Sequence, residues 1–121
     1  ASKKEMLADC GEGVVAAPSI RALAAGSYRR KSVDEIRGSG YVVQSLEAAL
    51  WCFWRTQSFR DAILAATNLG DDADTTAAIC GQVAGAFYGQ SGIPGHWLKA
   101  LAMSEDIGLL ADRLHRPQTG A

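Results

Sequence analysis

Apolar residues along this chain recur at intervals of three and four and nowhere alternate strictly, so the pattern predicts helices rather than strands. Between Tyr41 and Trp54, the residues Val43, Leu46, Leu50 and Trp54 share one stripe, with Ala49 and Phe53 beside it and Gln44 and Glu47 elsewhere on the wheel. Ser58 with Asp61 opens a second helix whose apolar face is Phe59, Ile63 and Leu64, and Asn68-Leu69-Gly70 closes it with a left-handed turn. Thr75 to Tyr88 predicts a central helix. There Ala77, Gly81, Gly85 and Gly89 recur every four residues and form a smooth ridge. A glycine inside a helix costs roughly 1 kcal/mol against alanine, so the ridge implies close approach of another helix.

Shorter elements flank these. Pro18 to Ala25 predicts a helix that Gly26 stops, and Ser32 with Glu35 has the spacing of a capping box over one short turn. Gly38 to Gly40 reads as a flexible break. Ile93-Pro94-Gly95 is a turn, His96 to Ala102 a short helix, and Ser104-Glu105-Asp106 the cap of a last helix ending near Arg113. The tail from Arg116 is polar and expected to fray. No internal repeat or low-complexity tract interrupts the pattern. The fold class is all-α, in a single region spanning 1–121.

Composition narrows the setting. The chain has 121 residues, 48% of them hydrophobic, which is enough for one core. A net charge of −1 argues against a nucleic-acid surface, and the short basic cluster Arg29-Arg30-Lys31 reads as a solvated loop. Cys10, Cys52 and Cys80 are odd in number and irregularly spaced, which signals neither a zinc site nor a disulfide framework. With no transmembrane-length apolar run and no signal-peptide pattern, the expected setting is the reducing cytoplasm, away from membranes. The opening ASKKEML lacks an initial methionine and reads as a cut end or a tag remnant.

The candidate chemistry lies at the mouth of the central helix. Asn68 to Gln90 reads NLGDDADTTAAICGQVAGAFYGQ, with Asp71, Asp72 and Asp74 in four positions and no lysine or arginine. One aspartate suffices as an N-cap, and two more within reach repel it. The other reading is a divalent cation, because hard cations take carboxylate and hydroxyl oxygens. Asp72 and Asp74 are placed to converge, Thr75 offers a neutral oxygen, and Gly70 permits the bend. Spacing alone leaves both readings open. His96 and His115 stand alone and read as surface residues. Trp51, Trp54 and Trp97 read as core, and Ser45 has no nearby histidine that would make it a nucleophile.

This segment, with GIP and a tryptophan after it, GSGYVVQSLEAALWCFW upstream and IGLLADRL at the end, resembles the ADP-ribosylglycohydrolase family in its bacterial branch. The resemblance covers roughly Tyr28 to Leu114 and includes the family's G-x-D-x-D-T pattern. It implies an all-helical fold around two magnesium ions, with manganese as the alternative. The implied enzyme hydrolyses the bond between ADP-ribose and a modified protein or small molecule, through a transition state like an oxocarbenium ion. Residue by residue, it assigns Asp72, Asp74 and Thr75 as metal ligands, with Asp72 and Asp74 the catalytic candidates. Asp71 falls at a variable position. Gly40 and Tyr41 fall where the family lines its ADP-ribose pocket.

Members of that family are longer, and their N-terminal half supplies a second metal cluster of a hydroxyl residue followed by two aspartates. No such cluster occurs here; Ser104-Glu105-Asp106 comes nearest and reads as a cap. Magnesium takes about six oxygens, whereas Asp72, Asp74 and Thr75 give three or four. The expectation is therefore a C-terminal half that needs the N-terminal half, in cis or as a separate chain. On that view the glycine ridge packs against helices outside this chain. The alternative is a non-catalytic relative that is structural or only binds ADP-ribose.

Overall fold

The computed structural model describes residues 2–8, 17–38 and 41–116. Its elements are α1 (Lys3–Met6), α2 (Pro18–Ala24), α3 (Val42–Arg55), α4 (Phe59–Asn68), α5 (Ala73–Tyr88), α6 (Gly95–Ala100) and α7 (Ser104–His115), with 3-10 turns at Ser27–Arg30, Val33–Glu35 and Gln90–Gly92. No strand occurs among the described residues. The all-α expectation is met.

Helices α3, α4 and α5 pack against one another. Their seam consists of small side chains: Ala48, Ala49 and Cys52 from α3, Ala62 and Ala66 from α4, and Cys80 and Ala84 from α5, all fully buried. Phe53 closes it, edge-on to Phe87 at 5.5 Å and Tyr88 at 6.2 Å between ring centroids. The stripe read from sequence is therefore rotated. Val43, Leu46, Leu50 and Trp54 are half-buried, and the deepest line on α3 is Ser45, Ala48, Ala49 and Cys52. The reason is that α3 has neighbours on more than one side, with α2 and the Ser27–Arg30 turn adding to α4 and α5. Close helix approach selects small residues, and the large ones fill the flanks. Of the tryptophans, Trp51 is buried, while Trp54 and Trp97 pack half-buried against the core.

The glycine ridge faces α4. A Cβ on Gly81 would lie 3.5 Å from Ile63 Cδ1, and one on Gly85 would lie 3.9 Å from Phe59 Cε2. These are ordinary van der Waals distances, so a helix of this chain occupies the face that was expected to await helices outside it. Gly89 has a different role: at φ +74° it lets the chain leave α5.

Termini follow local chemistry. Ser58 Oγ accepts the Asp61 N–H at 3.1 Å, the Ser32–Glu35 capping box forms, and Gly26 ends α2 at φ +85°. Helix α5 begins at Ala73, two residues before the expected start, which places Asp74 within its first turn. Helix α7 runs on to His115, and its N-cap is Met103 at φ 58° rather than Ser104. The end of the polar tail lies outside the described residues, as does Cys10.

Near the start, Ser2 and Glu5 form a capping box, and Lys3 Nζ donates to Phe53 O at 2.6 Å and to Thr56 O. The ammonium also sits 4.4 Å from the Phe53 ring centroid, a cation placed at the carboxyl end of α3. One expectation is corrected here: the basic cluster is not a solvated loop. Arg29 stacks 4.2 Å over Trp54, and Lys31 pairs with Glu47 at 3.0 Å while its carbonyl accepts Trp51 Nε1–H at 2.8 Å. Only Arg30 of the three is exposed.

Candidate functional site

The link from α4 to α5 turns sharply because two successive residues are left-handed: Gly70 at φ 77° and Asp71 at φ 52°. Aspartate tolerates this region better than most residues. Asp71 is exposed and serves the turn. Asp72 follows at the N-cap position of α5, yet its side chain accepts no capping hydrogen bond. Asp74, inside the first turn, accepts the N–H of Thr75 through Oδ1 at 2.9 Å. Asp74 thus satisfies a free N–H of the helix start, while the side chain of Asp72, at the N-cap position itself, does not cap.

The carboxyl groups of Asp72 and Asp74 lie within hydrogen-bonding reach of one another. A hydrogen bond donated by the Asp72 carboxyl, and then the Thr75 N–H, hold the Asp74 carboxyl below the usual carboxylate range. Asp74 and Thr75 are exposed and Asp72 is half-buried. The ion pairs of the described residues, Lys31–Glu47 and Arg60–Asp61, do not touch this turn. Two anionic oxygen donors converging without a cation of their own fit a hard divalent ion in donor chemistry. They do not complete its shell, and among the described residues no three His, Cys, Asp or Glu side chains form a metal-holding group.

Gly38 reaches the same place from the other side. The N–H of Asp72 donates to Gly38 O at 2.8 Å. Gly38 is buried, so the start of the expected flexible break is anchored. Gly40 lies outside the described residues. Tyr41 stands at the N-cap of α3 and is exposed. Beneath Asp72, one turn along α5, Thr76 is fully buried and its Oγ1 has no hydrogen-bond partner. Sequence reading missed both Gly38 and Thr76. The only signal was the pair of threonines after Asp74, and spacing gave no reason to prefer the second.

A separate apolar groove of about 310 Å³ lies between Gly85, Ile93, Leu98, Leu101 and Ile107. Gly85 is thirteen residues along α5 from Asp72, or roughly 20 Å at the rise of an α-helix, so this groove is not part of the acidic site. Both histidines described, His96 and His115, are exposed and remote in sequence from the turn.

The sequence model of the ADP-ribosylglycohydrolase family matches residues 3–121, and the chain belongs to that family. It is 51% identical over 114 residues to the ADP-ribosylarginine hydrolase Tri1 of Pseudomonas putida (strain GB-1), covering 94% of this chain and 30% of that protein. It is 58% identical over 90 residues to the protein of the same name from Serratia proteamaculans (strain 568), covering 74% of this chain and 25% of that one. Among solved structures, it superposes on an ADP-ribosylglycohydrolase-related protein complex with a TM-score of 0.81 at 40% identity, over 91% of this chain and 38% of the other. The chain thus spans a third or so of these relatives rather than half, 30% of one and 38% of another.

Proposed function

We propose that this chain supplies one part of the cation centre of an enzyme that removes ADP-ribose from an ADP-ribosylated substrate. Asp72, Asp74 and Thr75 would hold magnesium, with manganese as the alternative ion. The carrying observation is that two carboxylates converge on a turn where the N-cap residue's own side chain does no capping. Two ions are expected in the complete enzyme, so further oxygens must come from the N-terminal part of the same fold, in cis or as a second chain.

When bound, magnesium supplies Lewis-acid polarisation and orients oxygen ligands. The residues of this chain act around it. Asp74, held below the usual carboxylate range, stays ionised at neutral pH and remains a donor. Thr75 adds a neutral oxygen, and Gly40 and Tyr41 would line the ADP-ribose. The acid or base that moves the proton of the departing acceptor is assigned to the N-terminal part. Exposed apolar residues support such a partner: Val42 at the start of α3 and Leu109 and Leu114 on α7 are 73%, 63% and 80% exposed.

The substrate class favoured is arginine-linked ADP-ribose, because the relatives at 51% and 58% identity carry the name ADP-ribosylarginine hydrolase. A cytoplasmic setting suits the free thiols of Cys52 and Cys80. No helix among the described residues is long and apolar enough to cross a membrane.

The test is titration of manganese and then ADP-ribose into the chain, with and without chelator, for the parent and Asp74→Asn. The variant keeps the shape and removes the charge. The expected result is weaker manganese binding at an unchanged melting temperature. Equal manganese binding by parent and variant would overturn the ligand assignment.

A further inference from the structure

Gly38 is a glycine for reasons of space. Its φ lies outside the left-handed region, so its backbone suits any residue. A Cβ there would meet Thr76 Oγ1 at 2.9 Å, closer than real Cβ contacts come, with Gly70 O next at 3.6 Å. The same glycine accepts the Asp72 N–H through its carbonyl at 2.8 Å. Gly38 is therefore wedged between the acidic turn and a threonine that is 0% exposed.

The hydroxyl of Thr76 poses its own question. A buried hydroxyl without a partner costs free energy that alanine would not, and such atoms in folded proteins call for an explanation. Thr76 sits one turn below Asp72 on α5, with its N–H bonded to Asp72 O at 3.1 Å. Its side chain fills the space beside Gly38. Oxygen is smaller than a methyl group and accepts weak Cα–H contacts, so threonine lets the Gly38 backbone approach closely enough for the Asp72 bond.

We propose that Thr76 and Gly38 are a positioning pair. They fix the Gly38 backbone against the acidic turn and thereby orient Asp72 for its cation. Neither residue is a ligand. The inference rests on the metal reading of Asp72 and Asp74.

The experiment uses two readouts on the 121-residue chain. One is hydrogen exchange at the Asp72 amide, which reports the bond to Gly38 with or without metal. The other is manganese affinity from the paramagnetic signal of the free ion. Gly38→Ala is expected to speed Asp72 exchange and weaken manganese binding, each by roughly tenfold or more, as overpacking of a tight contact would do. Adding Thr76→Ala should restore both, because it removes the atom the new methyl strikes. Thr76→Ala alone, which introduces no clash and keeps the fold if Gly38→Ala does not, should loosen both to a lesser degree. Thr76→Ser should stay near the parent.

If exchange changes and manganese affinity does not, the pair is packing only and the inference falls while the metal reading stands. If Gly38→Ala leaves Asp72 exchange unchanged, the inference falls on its own geometry. If the parent itself fails to bind manganese, the inference falls for this chain whatever the exchange data show, while the reading in which the N-terminal part supplies the missing oxygens stands.

Discussion

Replacing Gly81 by alanine should stabilise this protein, although a glycine in a ridge facing another helix invites the opposite expectation. The new Cβ would lie 3.5 Å from Ile63 Cδ1, an ordinary contact with the flexible end of a side chain. No backbone stands in its way. Alanine in place of glycine within a helix gains about 0.8–1 kcal/mol, and partial burial of one methyl adds a few tenths at about 25 cal/mol per Å². The expected gain is about 1 kcal/mol, which raises the melting temperature of a domain this size by about 3–6 °C. Gly85→Ala, at 3.9 Å from Phe59 Cε2, should behave alike. Gly92→Ala is the contrast, since its Cβ would fall 2.7 Å from Tyr88 Cβ, and it should lower stability. Urea unfolding followed by helical circular dichroism gives the midpoint and slope for each variant, with an unchanged slope marking a true stability change. A loss of stability in both Gly81→Ala and Gly85→Ala would refute the reasoning. It would mean that something approaches α5 more closely than α4 does.

Phe53→Ala should destabilise by about 3–5 kcal/mol, because Phe53 is fully buried, packs edge-on to Phe87 and Tyr88, and carries Lys3 over its ring; chemical denaturation reads the change, and a loss below ~1 kcal/mol would show the site collapses around the gap. Burial pushes the Cys52 thiol up to about 12, helped by neighbouring Cys80, and pushes Cys80 up to about 11 against the opposing charge of Lys3. Both folded values lie above the ordinary 9.0, so the folded state favours the neutral thiols. Their contribution is complete below that value and is lost as pH rises through 9.0 toward 11 and 12. Melting temperature should therefore fall across that alkaline window, and the fall should shrink in Cys52→Ala/Cys80→Ala; identical slopes would show the thiols take no part.

What was legible in the sequence was whatever depended on one helix at a time. The existence of α3, the Ser58 cap, the Gly26 and Gly70 stops and the Ser32–Glu35 box depend on residues close in sequence, and each appears where expected, whereas the buried line of α3, set by its several neighbours, does not. What depended on distant partners was not legible. The anchoring of Lys3 was not legible because its partners, the carbonyls of Phe53 and Thr56, are fifty residues and more away. Arg29 looked solvated because Trp54 comes to it only through the fold. The ridge was read correctly as a helix-facing surface, but its partner was assigned outside the chain because spacing cannot name a partner. The same limit hid Gly38 and Thr76, whose contact joins two segments separated by α3 and α4.

The acidic turn belongs to both kinds. Its spacing marked it, but only the fold separates a cap from a cation site. A cap uses a carboxylate to satisfy orphan N–H groups. Here Asp72 holds the N-cap position without a side-chain cap, Asp74 accepts the N–H of its neighbour Thr75, and Asp71 spends its conformation on the bend. Three like charges remain close together with none of the ion pairs of the described residues to offset them. The turn is also anchored: the Asp72 N–H is tied to Gly38, and a buried hydroxyl stands without a hydrogen-bond partner beneath it. A turn that needed only to begin a helix would require neither the extra carboxylates nor the anchor, and that surplus is the argument for the proposed cation site.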